Sequence, residues 1–180
     1  IIRHVLPLGR RKGGIYVIND SFFNFWFRFV YPNLSDLEMG LVNEVYARIS
    51  RDINLYYGYC FENLILELIK SKEIPLPFDF TGVAKWWHKD KEIDVIALNE
   101  KRKEILFVEC KWQNRVNAKK IMKELAEKTE YVQWHNENRK ESFAIFAKGF
   151  SKRVDEFKGR KVRCFDLRDL ENLLIHNIAR

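Results

Sequence analysis

No run in this 180-residue sequence reaches the ~18 uncharged apolar residues that a membrane-crossing helix requires. The closest, SFFNFWFRFVYP at Ser21 to Pro32, is short and interrupted by Asn24 and Arg28. Cysteine is scarce: Cys60, Cys110 and Cys164 are odd in number and widely spaced, which argues against a disulfide framework and for a reduced, cytoplasmic compartment. Ser, Gln or Pro-rich tracts are missing, and with 47% apolar and 32% charged residues the chain has the composition of a globular protein. Gly13-Gly14 lacks the Gly-x-x-x-x-Gly-Lys-Ser/Thr frame of a phosphate loop, and His4, His88, His135 and His176 lack metal-ligand spacing. The length suits one domain, or one with a short appended element. The sequence opens at Ile1, in mid-pattern, so we expect it to be part of a longer protein with a further N-terminal domain.

Acidic charge is what the second half has little of. Residues 101 to 163 hold 18 Lys and Arg against 9 Asp and Glu, whereas residues 57 to 100 hold 5 against 8. A basic excess of this kind fits a nucleic-acid binder, because phosphate neutralisation dominates affinity, and equally a solvated Lys and Glu-rich surface.

The pattern along the chain predicts a strand pair over residues 1 to 20 around the turn RRKGG. An aromatic helix follows, capped by Asp20 or Ser21, burying Phe22, Phe25, Trp26 and Phe29 and stopping before Pro32. A weaker helix is expected over 36 to 56, and a sharper one from Gly58, with Phe61, Leu64, Ile65, Leu68 and Ile69 on one face. Three strands come next: FTGVAKWWHK, 92 to 99, and 104 to 111. Then come a long polar helix from about Asn117 to His135, the strand SFAIFA, a short basic loop or helix, the strand KVRCFDL, and a helix from about Asp169 to Ile178.

Within EIDVIALNEKRKEILFVECKW, residues 92 to 112, three charges interrupt two apolar runs. A hairpin turn centred between Lys101 and Arg102 sets Asp94 opposite Glu109, and directly opposed Cβ atoms stand ~4.5 to 5.5 Å apart. Lys111 shares the face of Glu109, since side chains alternate with period two. Ile93, Val95, Ala97, Leu106, Val108 and Cys110 are expected on the other face. Opposed carboxylates repel unless a cation bridges them, and Mg²⁺ takes one or two carboxylates and completes its shell with waters and phosphate oxygens. Lys111 could then orient or deprotonate a water or neutralise charge on a phosphate. The bland alternative is a buried ion pair of Lys111 with Glu109 or Asp94.

An acidic residue on a strand, a hairpin, then Glu-x-Lys on the next strand, with a Glu-bearing helix before and a helix after, resembles the PD-(D/E)XK nuclease superfamily. Asp94 matches the first acidic position, Glu109 and Lys111 the Glu-x-Lys half, and Glu62 the helix glutamate of many members. Ile93 stands where the nominal Pro would be, and the helix after ECKW lacks the Gln-x-x-x-Tyr of some branches. The resemblance implies an α/β, restriction-endonuclease-like core, a mixed central sheet flanked by helices. It further implies Mg²⁺ or Mn²⁺ on Asp94 and Glu109, Lys111 as activator, Glu62 as a further carboxylate, and DNA as substrate.

Across nearly the whole chain, YVINDSFFNFWFRFVYPN, GYCFENLILEL, EIDVIALN and ILFVECKW are similar to the C-terminal domain of unknown function of archaeal AAA-like ATPases. That resemblance implies a winged-helix remnant at 1 to 20, a helical linker at 21 to 56 and the nuclease-like domain at 57 to 180. A P-loop ATPase and winged-helix module would precede it in the same chain. The alternative function is a catalytically silent nucleic-acid- or protein-binding module regulating that ATPase; self-association stays open in either case.

Overall fold

A computed structural model describes residues 2–7 and 12–178. The chain falls into two compact units, one of described residues 2–6 and 12–60 and one of Pro7 and the residues from Phe61 onward.

The first unit opens with β1 (Ile2–Val5) and β2 (Ile15–Ile18), paired antiparallel from Ile2–Ile18 to Val5–Ile15. Of the turn RRKGG between them, Arg10 and Arg11 lie outside the described residues; Gly13 takes φ 81°, a conformation that favours glycine. Helix α1 (Ser21–Phe25) is capped by Asp20, whose Oδ1 accepts the Phe23 N–H at 2.9 Å. The expected aromatic helix does not run regularly to Pro32. It widens into a π turn at Trp26–Val30 and tightens into a 3₁₀ turn at Tyr31–Asn33. Pro32 has no N–H to return to the preceding turn, so the backbone ladder must change there.

After α2 (Leu34–Glu38), Gly40 takes φ 78° while its N–H reaches Leu37 O and the Leu41 N–H reaches Asp36 O, a C-terminal stop only glycine adopts cheaply. From there α3 runs unbroken from Val42 to Lys70. The expected break near Gly58 is absent. A helical glycine costs only about 1 kcal/mol. That is offset within the first unit by Tyr56, whose ring stands 5.8 Å from Phe25 and 5.6 Å from Phe29 and whose hydroxyl donates to Ser21 O at 2.7 Å.

The second unit is a mixed six-stranded sheet flanked by helices. Its strands are β3 (Gly82–His88), β4 (Lys91–Asn99), β5 (Glu104–Lys111), β7 (Lys140–Ala147), β9 (Glu156–Phe157) and β10 (Arg160–Phe165), in spatial order β3-β4-β5-β7-β10-β9. The β3-β4-β5 part is antiparallel, β5-β7-β10 is parallel, and β9 returns antiparallel. A parallel pair, β6 (Val116–Asn117) with β8 (Phe150–Lys152), lies off the main sheet. The basic stretch expected as a loop or helix thus contributes β8 and β9.

Two apolar layers cover the sheet. In one, Phe61, Ile65, Leu66 and Ile69 of α3 and Leu170 of α5 (Leu167–Ile178) meet Val95, Ala97, Leu106, Val108 and Cys110. In the other, Ala118, Met122 and Leu125 of α4 (Ala118–Thr129) meet Ile93, Ile96, Ile105 and Phe107. The buried stripe of α3 takes in Leu66, whereas Leu64, expected inside, is exposed. Helix α4 is shorter than expected. Arg139 closes it, donating to Thr129 O at 3.0 Å and to Val132 O at 2.6 Å, which satisfies carbonyls that a longer helix would have used.

Candidate functional site

The β4–β5 hairpin has the expected register: Asn99 pairs with Glu104, and the pairing runs back to Val95 with Val108. Its turn is fixed by Asn99 Oδ1 accepting the Arg102 N–H at 3.0 Å and by Lys103 at φ 53°. One step beyond Val95 and Val108 come Asp94 and Glu109, both buried, at 8% and 4% exposure.

On its other side β4 carries an irregularity that the alternation of the sequence did not announce. Ala84 of β3 pairs with Ile96 but Trp86 pairs with Ile93, so Asp94 and Val95 together oppose the single residue Lys85. This is a β-bulge, and bulges re-aim side chains. Ile93 consequently packs with Ile96 against α4, not with Val95 and Ala97 as expected. Asp94 is taken out of strict opposition to Glu109: its Oδ2 accepts the backbone N–H of the next residue, Cys110, at 2.6 Å.

The other charges close in from both layers. Glu109 Oε1 lies 2.7 Å from Lys111 Nζ, and both of its oxygens lie 2.9 Å from Nζ of Lys128 on α4. From α3, Glu62 Oε2 pairs with Lys85 Nζ at 2.9 Å. Glu62, Asp94, Glu109 and Lys111 therefore share one end of the sheet. The ion pair of Lys111 with Glu109 that the bland alternative expected is present. Lys85 and Lys128 were not singled out from the sequence. The signal for Lys128 was faint: it sits three residues after buried Leu125 and just before buried Thr129, on the flank of the apolar stripe of α4.

Burial, reinforced by Glu109 and then Glu62, pushes the Asp94 carboxyl up to about 8, against the pull of the Cys110 N–H and Lys111. For Lys111, burial disfavours the charge but Glu109 and Asp94 outweigh it, so its pKa is raised and it acts as a cation in this arrangement. Burial first, then Asp94, raises the Cys110 thiol well above its ordinary value, which suits an inert core residue and not a nucleophile.

Around this cluster the basic excess is concentrated. Residues 111 to 123 carry Lys111, Arg115, Lys119, Lys120 and Lys123 and no acid; residues 148 to 153 carry Lys148, Lys152 and Arg153 and no acid. The chain as a whole has a net charge of +7, so these two segments account for all of its positive excess. The fold knits them together where β5 and β7 end: Val116 pairs with Phe150, the Lys148 N–H donates to Lys111 O at 3.1 Å, and the Val116 N–H donates to Gly149 O at 2.9 Å. Lys148 Nζ stands 5.1 Å from the centroid of the Trp112 ring, over its face.

Carboxylates are hard oxygen donors of the kind Mg²⁺ and Mn²⁺ take. Asp94 accepts a backbone N–H and, among the described residues, no ammonium, so its donor chemistry fits such an ion. Among the described residues no group of three or more His, Cys, Asp or Glu is arranged to hold a metal. Among them, too, no helix is long and apolar enough to cross a membrane.

The fold and site define an α/β domain whose mixed sheet ends in a buried carboxylate and lysine cluster next to two basic segments. The chain belongs to the DUF234 family, described as archaeal and bacterial proteins of unknown function, whose family model matches residues 26–122. That span contains Glu62, Asp94, Glu109 and Lys111 and stops short of Lys128. An uncharacterized protein of Methanocaldococcus jannaschii is 40% identical over 127 residues, covering 68% of this chain and 28% of its own length. No solved structure matches.

Proposed function

We propose that the unit from Phe61 onward is a divalent-metal-dependent nuclease domain of the PD-(D/E)XK kind, hydrolysing phosphodiester bonds in DNA. The observation that carries this reading is the meeting of Asp94, Glu109 and Lys111 at the end of a buried hairpin, with Glu62 within the electrostatic reach of Asp94. Buried charges on central strands cost stability, and sites that perturb a carboxyl this strongly are candidates for chemistry. Asp94 and Glu109 would hold Mg²⁺ or Mn²⁺, which supplies Lewis-acid stabilisation of the scissile phosphate and a more acidic water. Lys111, a cation in its pairing with Glu109, would orient an attacking water and neutralise charge developing on the phosphate. Glu62 adds a third carboxylate held by Lys85. The basic segments 111 to 123 and 148 to 153 bind the phosphate backbone.

A second reading, a silent nucleic-acid- or protein-binding module, draws on a different feature: Glu109 and Glu62 already have lysine partners, so the cluster is largely neutralised without a metal. The longer relative is compatible with this domain serving a P-loop ATPase and winged-helix module in one chain, and we include that arrangement in the proposal. Plasmid nicking with Mg²⁺ or Mn²⁺ separates the readings. The nuclease reading expects activity in the wild type and its loss in Asp94→Ala and Lys111→Ala. Equal activity in all three means that the site is wrong, and DNA binding without cleavage supports the silent module.

A further inference from the structure

Glu109 has more positive charge against it than one carboxylate needs. Lys111, two residues along the same strand, already pairs with Oε1 at 2.7 Å. Lys128 reaches in from α4 and straddles the group, its Nζ at 2.9 Å from Oε1 and 2.9 Å from Oε2. An ammonium set symmetrically across both oxygens takes the lone pairs a divalent cation would use on Glu109, and the two cannot occupy them together. The Lys128 side chain is 22% exposed, so it has an open way out, whereas the side chain of Glu109 is 5% exposed and fixed.

We propose that Lys128 is a placeholder cation. It holds Glu109 while the site is free of metal, yields the carboxylate when a divalent ion enters, and carries its freed charge to the substrate phosphate. The inference rests on the nuclease reading of the site. The need for a placeholder follows from burial: Glu109 is buried, and a carboxylate left unpaired in such surroundings is strongly destabilising. A divalent ion on Glu109 makes one of that carboxylate's two lysines surplus. Lys128 is the one to leave, because it sits on the helix that also bears exposed Lys119, Lys120 and Lys123, where a phosphate backbone would approach.

Competition of this kind reduces metal affinity by the fraction of time Glu109 is free. If Lys128 holds it about nine-tenths of the time, the apparent dissociation constant is raised about tenfold. The test is Mn²⁺ titration followed by calorimetry and by the electron paramagnetic resonance of free Mn²⁺, on wild type, Lys128→Met, Lys128→Gln, Lys128→Arg and Lys123→Met, each checked for folding by circular dichroism. We expect the two neutral variants to bind Mn²⁺ about tenfold tighter, Lys128→Arg to bind no tighter than wild type because it keeps the charge, and Lys123→Met to stay within about twofold. Nicking by the neutral variants should fall despite the tighter metal. Equal Mn²⁺ affinity in wild type and the neutral variants, or tighter binding by Lys128→Arg, overturns the exchange and leaves the metal centre standing. Failure of every protein to bind Mn²⁺ overturns both.

Discussion

Replacing Asp94 by Asn should stabilise the metal-free protein, and by an amount that depends on pH. The Asp94 carboxyl is raised from an ordinary 3.8 to about 8 by burial and by Glu109 and Glu62. A tenfold change in acidity is worth about 1.36 kcal/mol, so ionising the side chain in the folded state costs up to about 6 kcal/mol relative to the unfolded chain. Below about pH 4 both states hold the proton and there is no penalty. Between about 4 and 8 the folded state keeps a proton that the unfolded state releases, so stability falls by up to about 1.4 kcal/mol for each step of one in pH. Above about 8 the full penalty stands. Asn is nearly isosteric, carries no charge, and its Oδ1 can still accept the Cys110 N–H, so it removes the penalty without a cavity. Urea unfolding of wild type and Asp94→Asn at pH 5, 6.5 and 8 measures the difference. It should be about 1.5 kcal/mol near pH 5 and grow to about 5 kcal/mol at pH 8, a large share of a stability of about 5–15 kcal/mol. Parallel stability curves for the two proteins, or an Asn variant weaker at pH 8, would refute this account of Asp94.

Because Asp94 must ionise before it can serve as a ligand, Mn²⁺ affinity should strengthen as pH rises toward about 8 and then level, with proton uptake by the buffer in calorimetry; a flat profile across pH 6 to 8 would exclude Asp94 as a ligand. Replacing Lys119, Lys120 and Lys123 together with Ser should weaken DNA binding at every sequence and reduce the slope of log affinity against log salt by about 0.9 for each phosphate no longer neutralised, with an unchanged slope placing the nucleic acid elsewhere. Asn117→Ala removes the N-cap whose Oδ1 accepts the Lys119 N–H at 3.1 Å, and should cost about 1 kcal/mol in chemical denaturation, most visibly in α4 by hydrogen exchange.

The hairpin was legible because its loop is short: once the turn lies between Lys101 and Arg102, every pair from Asn99–Glu104 to Val95–Val108 follows. Glu62 was legible through the resemblance, which implies a glutamate on the helix before the hairpin. The bulge was not. In Ile93-Asp94-Val95-Ile96 apolar residues stand on both sides of the acid, since a central strand is covered on both faces and shows no alternation that a slipped residue could break. The continuity of α3 was hidden for a related reason. Gly40 and Gly58 look alike in sequence, but only Gly40 takes a positive φ; what carries the helix through Gly58 is the ring cluster around Tyr56, built from residues some thirty positions earlier.

The bulge bears most directly on what the site can do. In a regular strand Asp94 would share the face of Ile96 and stand square to Glu109, two buried carboxylates competing for one small space on the α4 side. Setting Asp94 and Val95 jointly against Lys85 breaks that symmetry. Asp94 instead binds the Cys110 N–H and comes within the field of Glu62 on α3, while Glu109 remains with Lys128 on α4. The two carboxylates then differ in kind. Glu109 is the one already held by cations, and Asp94 is the one held protonated near neutrality. If the two hold a divalent ion as proposed, Asp94 would give up a proton and Glu109 an ammonium, so metal binding here should depend on pH through Asp94 and on Lys128 through Glu109. A site with both dependences differs from a surface ion pair, which would show neither.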